Sequence, residues 1–337
     1  MSFTIAQYSN LVITVVPFAI LFCSILCFVL TPVNGALAAG GNTTTAENSA
    51  VNSGSSASTK LNKIKVIASF YPIFEFVKKV GGDRVEVSSL IPVGIEPHDY
   101  EPTIQQVQNA ETADMLVFNG AGFEGQWLKS INTKFAVDTS KGLNLTGSTY
   151  GHAGGDEHSR ELSDPHIWLD PLLAKQQVEK IRDGLKRVDP ANAAFYNENA
   201  KRFIAELDNL DKKIKLELSN CEKKDFITFH RAFGYFANRY GLTEHEIHPN
   251  SLEGEILPQR IEQIIGLARD MGLDTIYSEE LVDPRLANVI AQEIPNGKVL
   301  VLSPIEGIDK EEQNAGVGYI DKMNENIKNL KVGLKCK

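Results

Sequence analysis

The chain has few basic residues for its length. Its 337 residues include 34 Lys and Arg against 43 Asp and Glu, which gives a formal net charge of -9. A nucleic-acid binder needs a basic face to replace the counterions on phosphate, so this charge balance argues against that class of function. We therefore expect no nucleic-acid partner.

Cysteine is also scarce, with four in the whole chain. Cys23 and Cys27 lie in an apolar N-terminal run, so the rest of the chain has no close pair that could form a CxxC metal or redox site. In an oxidising compartment, Cys221 and Cys336 have two alternatives. They would form a disulfide that ties the C-terminal tail to the second of two predicted lobes, or they would stay as two buried thiols.

One long hydrophobic run stands near the N-terminus, at residues 11–30, and its length is about what an α-helix needs to cross a bilayer. Ala36-Leu37-Ala38 follows as a small-residue cleavage pattern, so we predict a signal peptide or a signal anchor over 1–38. Residues 39–60 are small and polar and predict a flexible Ser/Thr/Gly linker. The expected location is extracytoplasmic, tethered to the outer face of the cell membrane or secreted.

After the linker, short β-rich runs alternate with helical patterns, which predicts βα units around a mainly parallel sheet. The alternation stops at Asp189-Pro190, a pair typical of a helix start. Apolar residues then recur at spacings of three and four, at Phe203, Leu207, Leu210, Ile214 and Leu218. The predicted fold class is α/β, with two lobes that each hold a mainly parallel sheet flanked by helices. We expect an N-terminal lobe over 61–188, one long bridging helix over 189–220 and a C-terminal lobe over 221–337.

Metal-binding side chains stand at the places where ligands of open α/β sheets are expected, just past the strands. They are His98, His166, His230 and the neighbours Glu279 and Glu280. Three imidazoles and one carboxylate are the ligand types expected of a four-coordinate Zn²⁺ site. With two ligands from each lobe, the ion would lie in the cleft, and neither lobe alone would complete the coordination shell.

The other histidines are weaker candidates. His152 and His158 lie in a glycine-rich, polar segment that is typical of a mobile loop, where solvated side chains are the ordinary expectation. His245 and His248 are three residues apart and would point to opposite faces of a strand, so we interpret both as structural.

Several neighbours of the candidate ligands have predicted supporting roles. Asp164 and Asp170 flank His166, and either could accept the hydrogen bond that a metal-bound imidazole donates from its second ring nitrogen. Helix capping suits Asp170 equally well. Three aromatic residues are expected to form core or cleft wall that shields the ion from water: Trp168, Phe229 and Tyr277.

Five segments together resemble the zinc/manganese solute-binding proteins of ABC importers, in the order that this family has them. They are VGIEPHDYEPT, VFNGAGFEGQWL, DPHIWLDP, ITFHRAFGYFANRYGL and IYSEELVDPRLANVIAQE, and the resemblance covers about residues 61–331. It implies two α/β lobes bridged by a long rigid helix. It also implies that His98, His166 and His230 are metal ligands.

For the fourth ligand, the resemblance offers Glu279, as in zinc-type members, or Asp283, as in manganese-type members. We favour Glu279. Nitrogen ligands such as His230 favour zinc over the harder Mn²⁺, so the expected bound metal is Zn²⁺, with Mn²⁺ as the alternative. The resemblance further implies a monomer that captures a divalent metal ion and delivers it to an ABC transporter membrane permease.

Two rival functions fit parts of the sequence. A metal-dependent hydrolase could use a site of three histidines and one carboxylate to activate water. The sequence has no HExxH motif and no evident nucleophile with a base, and four protein ligands would already fill the shell. A surface adhesion module is suggested by the linker alone. We predict a metal carrier that is not an enzyme.

Overall fold

The computed structural model describes residues 63–98, 100–125, 127–145, 163–248 and 256–337. These residues fall within one compact unit, Thr59–Lys337. The predicted signal segment, the predicted linker, His152 and His158 lie outside the described residues. Within the described ranges, no helix is both long enough and apolar enough to cross a membrane.

Four parallel strands form the first sheet: β1 Ile64–Ala68, β2 Val85–Ser89, β3 Met115–Phe118 and β4 Ala136–Asp138. Their order is β2-β1-β3-β4, with Val66 of β1 level with Val87 on one side and Met115 on the other. Helix α1, Tyr71–Gly81, follows β1, and helix α2, Ile104–Thr112, precedes β3. The alternation of strands and helices is as predicted, although the three residues of β4 are too few to show a period.

Two helices connect the sheets. Helix α3 spans Pro171–Val188, and helix α4, the long one, spans Ala193–Glu217. Helix α4 begins later than predicted because Pro190–Asn192 first form a turn of 3-10 helix. The predicted apolar stripe is confirmed, since all five of its residues are buried: Phe203, Leu207, Leu210, Ile214 and Leu218.

The second sheet repeats the plan of the first. Its strands are β5 Asp225–His230, β6 Thr243–His248, β7 Thr275–Ser278 and β8 Lys298–Val301, all parallel, in the order β6-β5-β7-β8. The remaining helices are α5 Gly234–Tyr240, α6 Pro258–Met271, α7 Arg285–Gln292, α8 Lys310–Ala315 and α9 Tyr319–Gly333. The predicted α/β class with two parallel sheets, flanking helices and one long helix is confirmed. The exact lobe boundaries stay predictions.

One apolar core extends across both halves of this unit. Phe76 of α1 packs against Phe203 of α4 and against Tyr319 of α9, with ring centroids 5.6 and 5.0 Å apart. A second cluster fills the space between the second sheet and helices α6 and α7, around Ile227, Ile264 and Ile290. Helix α4 therefore packs against elements from before and after it in the chain.

Cys221 and Cys336 form a disulfide, which decides between the two alternatives for this pair. Cys221 lies between α4 and β5, and Cys336 follows α9. The two residues also pair as an isolated antiparallel bridge. The C-terminal tail is thus joined to the start of the second sheet.

Candidate metal site

Three imidazoles and one carboxylate converge between the two sheets: His98, His166, His230 and Glu306. His98 lies in the loop after β2, and His166 stands just before the short turn that leads into α3. His230 is the last residue of β5, and Glu306 lies in the loop after β8. One ligand-type atom from each residue lies within 4.8 Å of the other three. Each lobe supplies two of the four, as the predicted cleft site requires.

The spacing of these atoms has the size of a zinc shell. Oε1 of Glu306 is 3.0 Å from Nε2 of His98, 3.1 Å from Nε2 of His166 and 3.5 Å from Nε2 of His230. The Nε2 atoms of His166 and His230 are 3.3 Å apart. Four ligands in a tetrahedron with bonds of about 2.1 Å would be separated by about 3.4 Å. The arrangement can therefore surround one zinc-sized ion with little movement.

Two of the imidazoles are held from behind by carboxylates. Nδ1 of His166 is 2.8 Å from Oδ1 of Asp164, and Nδ1 of His230 is 2.8 Å from Oε1 of Glu279. A hydrogen bond donated from Nδ1 leaves Nε2 as the free electron pair for a metal and fixes the orientation of the ring. The predicted role of Asp164 is confirmed. Asp170 instead caps α3 by accepting from the backbone N–H of Leu172 at 2.9 Å.

The predicted fourth ligand does not join the group of four atoms. Glu279 lies one residue past the end of β7, and the carboxylate oxygen that contacts His230 does so at Nδ1, on the side of the ring away from the cluster. Asp283 is on the surface, where it pairs with Arg285. The carboxylate in the cluster is Glu306, which the sequence analysis missed. Glu306 lies in the loop that follows β8, and no motif in the sequence marked it.

The cluster is mostly enclosed. His166, His230 and Glu306 are buried, whereas 23% of the His98 side chain is exposed, so the site opens to solvent beside His98. The ring of Trp168 lies 5.2 Å from that of His166, and its indole N–H donates to the carbonyl of Pro304 at 2.7 Å. The prediction that Trp168 forms part of the wall is confirmed. Phe229 and Tyr277 are also buried, in the core.

The imidazoles and carboxylates of the site shift one another's pKa values in opposite directions. Burial lowers the pKa of His166, but hydrogen bonds to Asp164 and Glu306 outweigh burial and raise this pKa to about 9. Burial is likewise outweighed at His230, where Glu279 and Glu306 raise the pKa well above its usual value. At Glu306, burial raises the pKa, but the surrounding imidazoles hold it well below its usual range. At neutral pH, a metal cation that enters would displace protons from His166 and His230.

The remaining described histidines lie outside the cluster. His245 and His248 are both in β6, and Nε2 of His245 is 2.8 Å from Oδ1 of Asp225. This hydrogen bond accords with the structural interpretation of His245.

Comparison with known proteins points to zinc uptake. A family model described as "ZnuA: Zinc-uptake complex component A periplasmic" matches residues 66–333. The chain is 37% identical over 327 residues to "High-affinity zinc uptake system protein ZnuA" of Bacillus subtilis (strain 168), covering 94% of this chain and 98% of that protein. It spans only 56% of the length of the "Zinc-binding protein AdcA" of Streptococcus pyogenes serotype M18.

Solved structures share the fold. The Zn(II)-bound ZnuA-like domain of Streptococcus pneumoniae AdcA matches with a TM-score of 0.70 and 32% identity, over 81% of this chain and 99% of that one. The laminin binding protein (Lmb) of Streptococcus agalactiae, described as a bifunctional protein with adhesin and metal transporting activity, matches with a TM-score of 0.71 and 29% identity. That match covers 81% of this chain and 99% of the other.

Proposed function

The chain belongs to the ZnuA family of periplasmic zinc-uptake components, and on that premise we propose that it captures Zn²⁺ between its two sheets and delivers the ion to an ABC transporter membrane permease. The observation that carries this proposal is the convergence of three imidazoles and one carboxylate in a mostly buried cleft. Zn²⁺ is the cargo of this site. The protein acts outside the cytoplasm as a monomer, without a nucleic-acid partner.

The proposed ligands are Nε2 of His98, His166 and His230 together with the carboxylate of Glu306. Oε2 of Glu306 is buried and has no hydrogen-bond partner among the described residues, and a bound cation would satisfy it. Glu279 is proposed as the residue that holds the ring of His230, in place of its predicted role as a ligand. Three nitrogen ligands and one oxygen ligand favour Zn²⁺ over Mn²⁺.

We propose a carrier and no catalytic role. A catalytic zinc site keeps one coordination position open for water or substrate, whereas this cluster offers four protein ligands. Capture requires deprotonated imidazoles, so protons compete with zinc for the site. The opening beside His98 is the side from which an ion would reach the buried ligands.

The test is a competitive titration of the protein with Zn²⁺ and Mn²⁺ against chelators of known affinity, in which binding is measured by calorimetry. We expect one tight equivalent of zinc, weaker binding of manganese, and loss of tight binding in His230→Ala. The matched control is His245→Ala, which removes an imidazole from the neighbouring strand and should leave zinc affinity unchanged. If neither metal binds tightly, or if both variants lose zinc equally, the proposed site is wrong.

A further inference from the structure

The segment that leads to Glu306 has an unfavourable backbone conformation. Ile305, the residue just before Glu306, has φ +57° and is fully buried. A β-branched residue rarely adopts this left-handed region, because its Cβ comes too close to the following carbonyl oxygen. Such a conformation persists only where the surrounding structure fixes it, and at functional sites it serves to place a side chain.

Ser303 provides the contacts that fix this segment. Its hydroxyl oxygen accepts from the backbone N–H of Ile305 at 3.0 Å, and its hydroxyl proton is donated to Oε1 of Glu280. Asn326 of α9 binds both backbone groups of Ser303, accepting from its N–H at 2.8 Å and donating to its carbonyl at 2.7 Å. The Ser303 hydroxyl thus joins Ile305 to Glu280, while the Ser303 backbone is bound to α9.

Lys322 of α9 holds the other end of this chain of contacts. Its ammonium group lies 3.3 Å from Oε1 of Glu280 and 2.7 Å from Oε1 of Glu312, and its side chain is 3% exposed. A buried ammonium group is costly unless its partners stay in place, so Glu280 is firmly held. Contacts therefore run from Lys322 through Glu280 and Ser303 to the residue that precedes Glu306.

We propose that Ser303 is a positioning residue for zinc binding: its hydroxyl keeps Ile305 in the left-handed conformation that directs Glu306 at the three imidazoles. Glu280 and Lys322 hold Ser303 in turn. Ser303 is not one of the four proposed ligands, so it acts through the backbone of Ile305. The inference rests on the proposed function and on Glu306 as the fourth ligand.

The test compares Ser303→Ala, which removes the hydroxyl, with Ser303→Thr, which keeps it. Without the hydroxyl, Ile305 relaxes to negative φ and Glu306 withdraws. We expect Ser303→Ala to weaken zinc binding by about 10- to 100-fold, mainly through faster dissociation, and Ser303→Thr to restore it. Co²⁺ loaded in place of zinc reports the geometry, since loss of one ligand changes the visible absorption of a tetrahedral site.

The control for a purely structural effect is Tyr196→Phe, which removes a hydroxyl that donates to Asp189 at 2.7 Å. It should lower the melting temperature without changing zinc affinity or the Co²⁺ spectrum. If Ser303→Ala does not fold, Glu280→Gln takes its place, because the hydrogen bond from Ser303 then loses its charged acceptor while Lys322 keeps Glu312. The expected change has the same direction and is smaller.

The outcomes separate the two proposals. Unchanged zinc affinity and an unchanged Co²⁺ spectrum in whichever of these variants folds would overturn the positioning role and leave the carrier function intact. Failure of the unaltered protein to bind zinc tightly would overturn the carrier function itself. Weaker binding with an altered Co²⁺ spectrum in Ser303→Ala, with both unchanged in Ser303→Thr and Tyr196→Phe, would support the role of Ser303.

Discussion

At the scale of single residues, Glu279 and Glu306 both lie beside His230 but near different nitrogens of its ring. Glu306 faces Nε2 of all three histidines, whereas Glu279 faces Nδ1 of His230. We predict that Glu306→Gln, which removes the charge of the proposed carboxylate ligand, lowers zinc affinity by more than about 100-fold, while Glu279→Gln lowers it by about 10-fold. Chelator competition measures both. The reverse order would return the fourth ligand to Glu279.

The difference between these two residues also marks the limit of what the sequence could predict. The three histidines could be found because each one lies in a loop or at a strand end near a recognisable motif. Glu306 follows Ile305, and no pattern in the sequence indicates that a β-branched residue adopts positive φ there. In our proposal, this backbone angle directs the Glu306 side chain at the imidazoles.

Two carboxyl groups outside the cluster, those of the buried Glu124 and the half-buried Glu244, give the metal-free protein a distinctive pH dependence. Burial raises the pKa of Glu124 and of Glu244 from 4.5 to about 7, although hydrogen-bond donors to both carboxylates act in the opposite direction. The folded state therefore binds more protons than the unfolded state between about pH 4.5 and 7, so the free energy of unfolding falls as pH rises through this window.

His166 extends this fall to higher pH. Its pKa is about 9 when folded and 6.5 when unfolded, so the stability that its protonation contributes is complete below pH 6.5 and lost as pH rises through 9. Between pH 5 and 9, we expect the metal-free protein to lose several kcal/mol of stability. Urea unfolding in the presence of a chelator measures this. Zinc should add more stability at pH 8 than at pH 6, and rising stability of the metal-free protein would contradict the assignment.

At the scale of elements, Gly234 at the start of α5 packs closely against Asp164, which supports the proposed ligand His166. A Cβ atom added at Gly234 would lie 2.6 Å from Oδ2 of Asp164, the carboxylate that holds His166. We predict that Gly234→Ala displaces Asp164 and weakens zinc binding by about 10-fold. Gly266→Ala is the matched control, because the space around Gly266 in α6 is open. The control should leave zinc affinity unchanged and stabilise the fold by about 0.5–1 kcal/mol.

The disulfide stabilises one end of the second sheet without reaching the metal site. Cys221 lies before the first residue of β5, whereas His230 is at the other end of that strand, about 17 Å further along. Replacing Cys221 and Cys336 with serine should therefore cost about 2–4 kcal/mol of stability and leave zinc affinity unchanged. Thermal unfolding and zinc titration of the double variant test this. A loss of zinc affinity would show that the disulfide also positions His230.

At the scale of the whole molecule, the two sheets share one core. Phe76, Phe203 and Tyr319 come from three helices on different parts of the chain, and the Tyr319 hydroxyl donates to the carbonyl of Trp168 at 2.6 Å. We expect both halves to unfold in one transition. Zinc at 100 times its dissociation constant should add about 2.7 kcal/mol to the unfolding free energy. Calorimetry that resolves two transitions, with only one sensitive to zinc, would contradict a shared core.

The disulfide also changes what a protease could do to this protein. Because it joins Cys221 to Cys336, the chain between them is a closed covalent ring. His230 and Glu306 both lie inside that ring. One backbone cut between the two would open the ring without separating the pieces, so a nicked molecule would keep both proposed ligands on one covalent body until the disulfide is reduced.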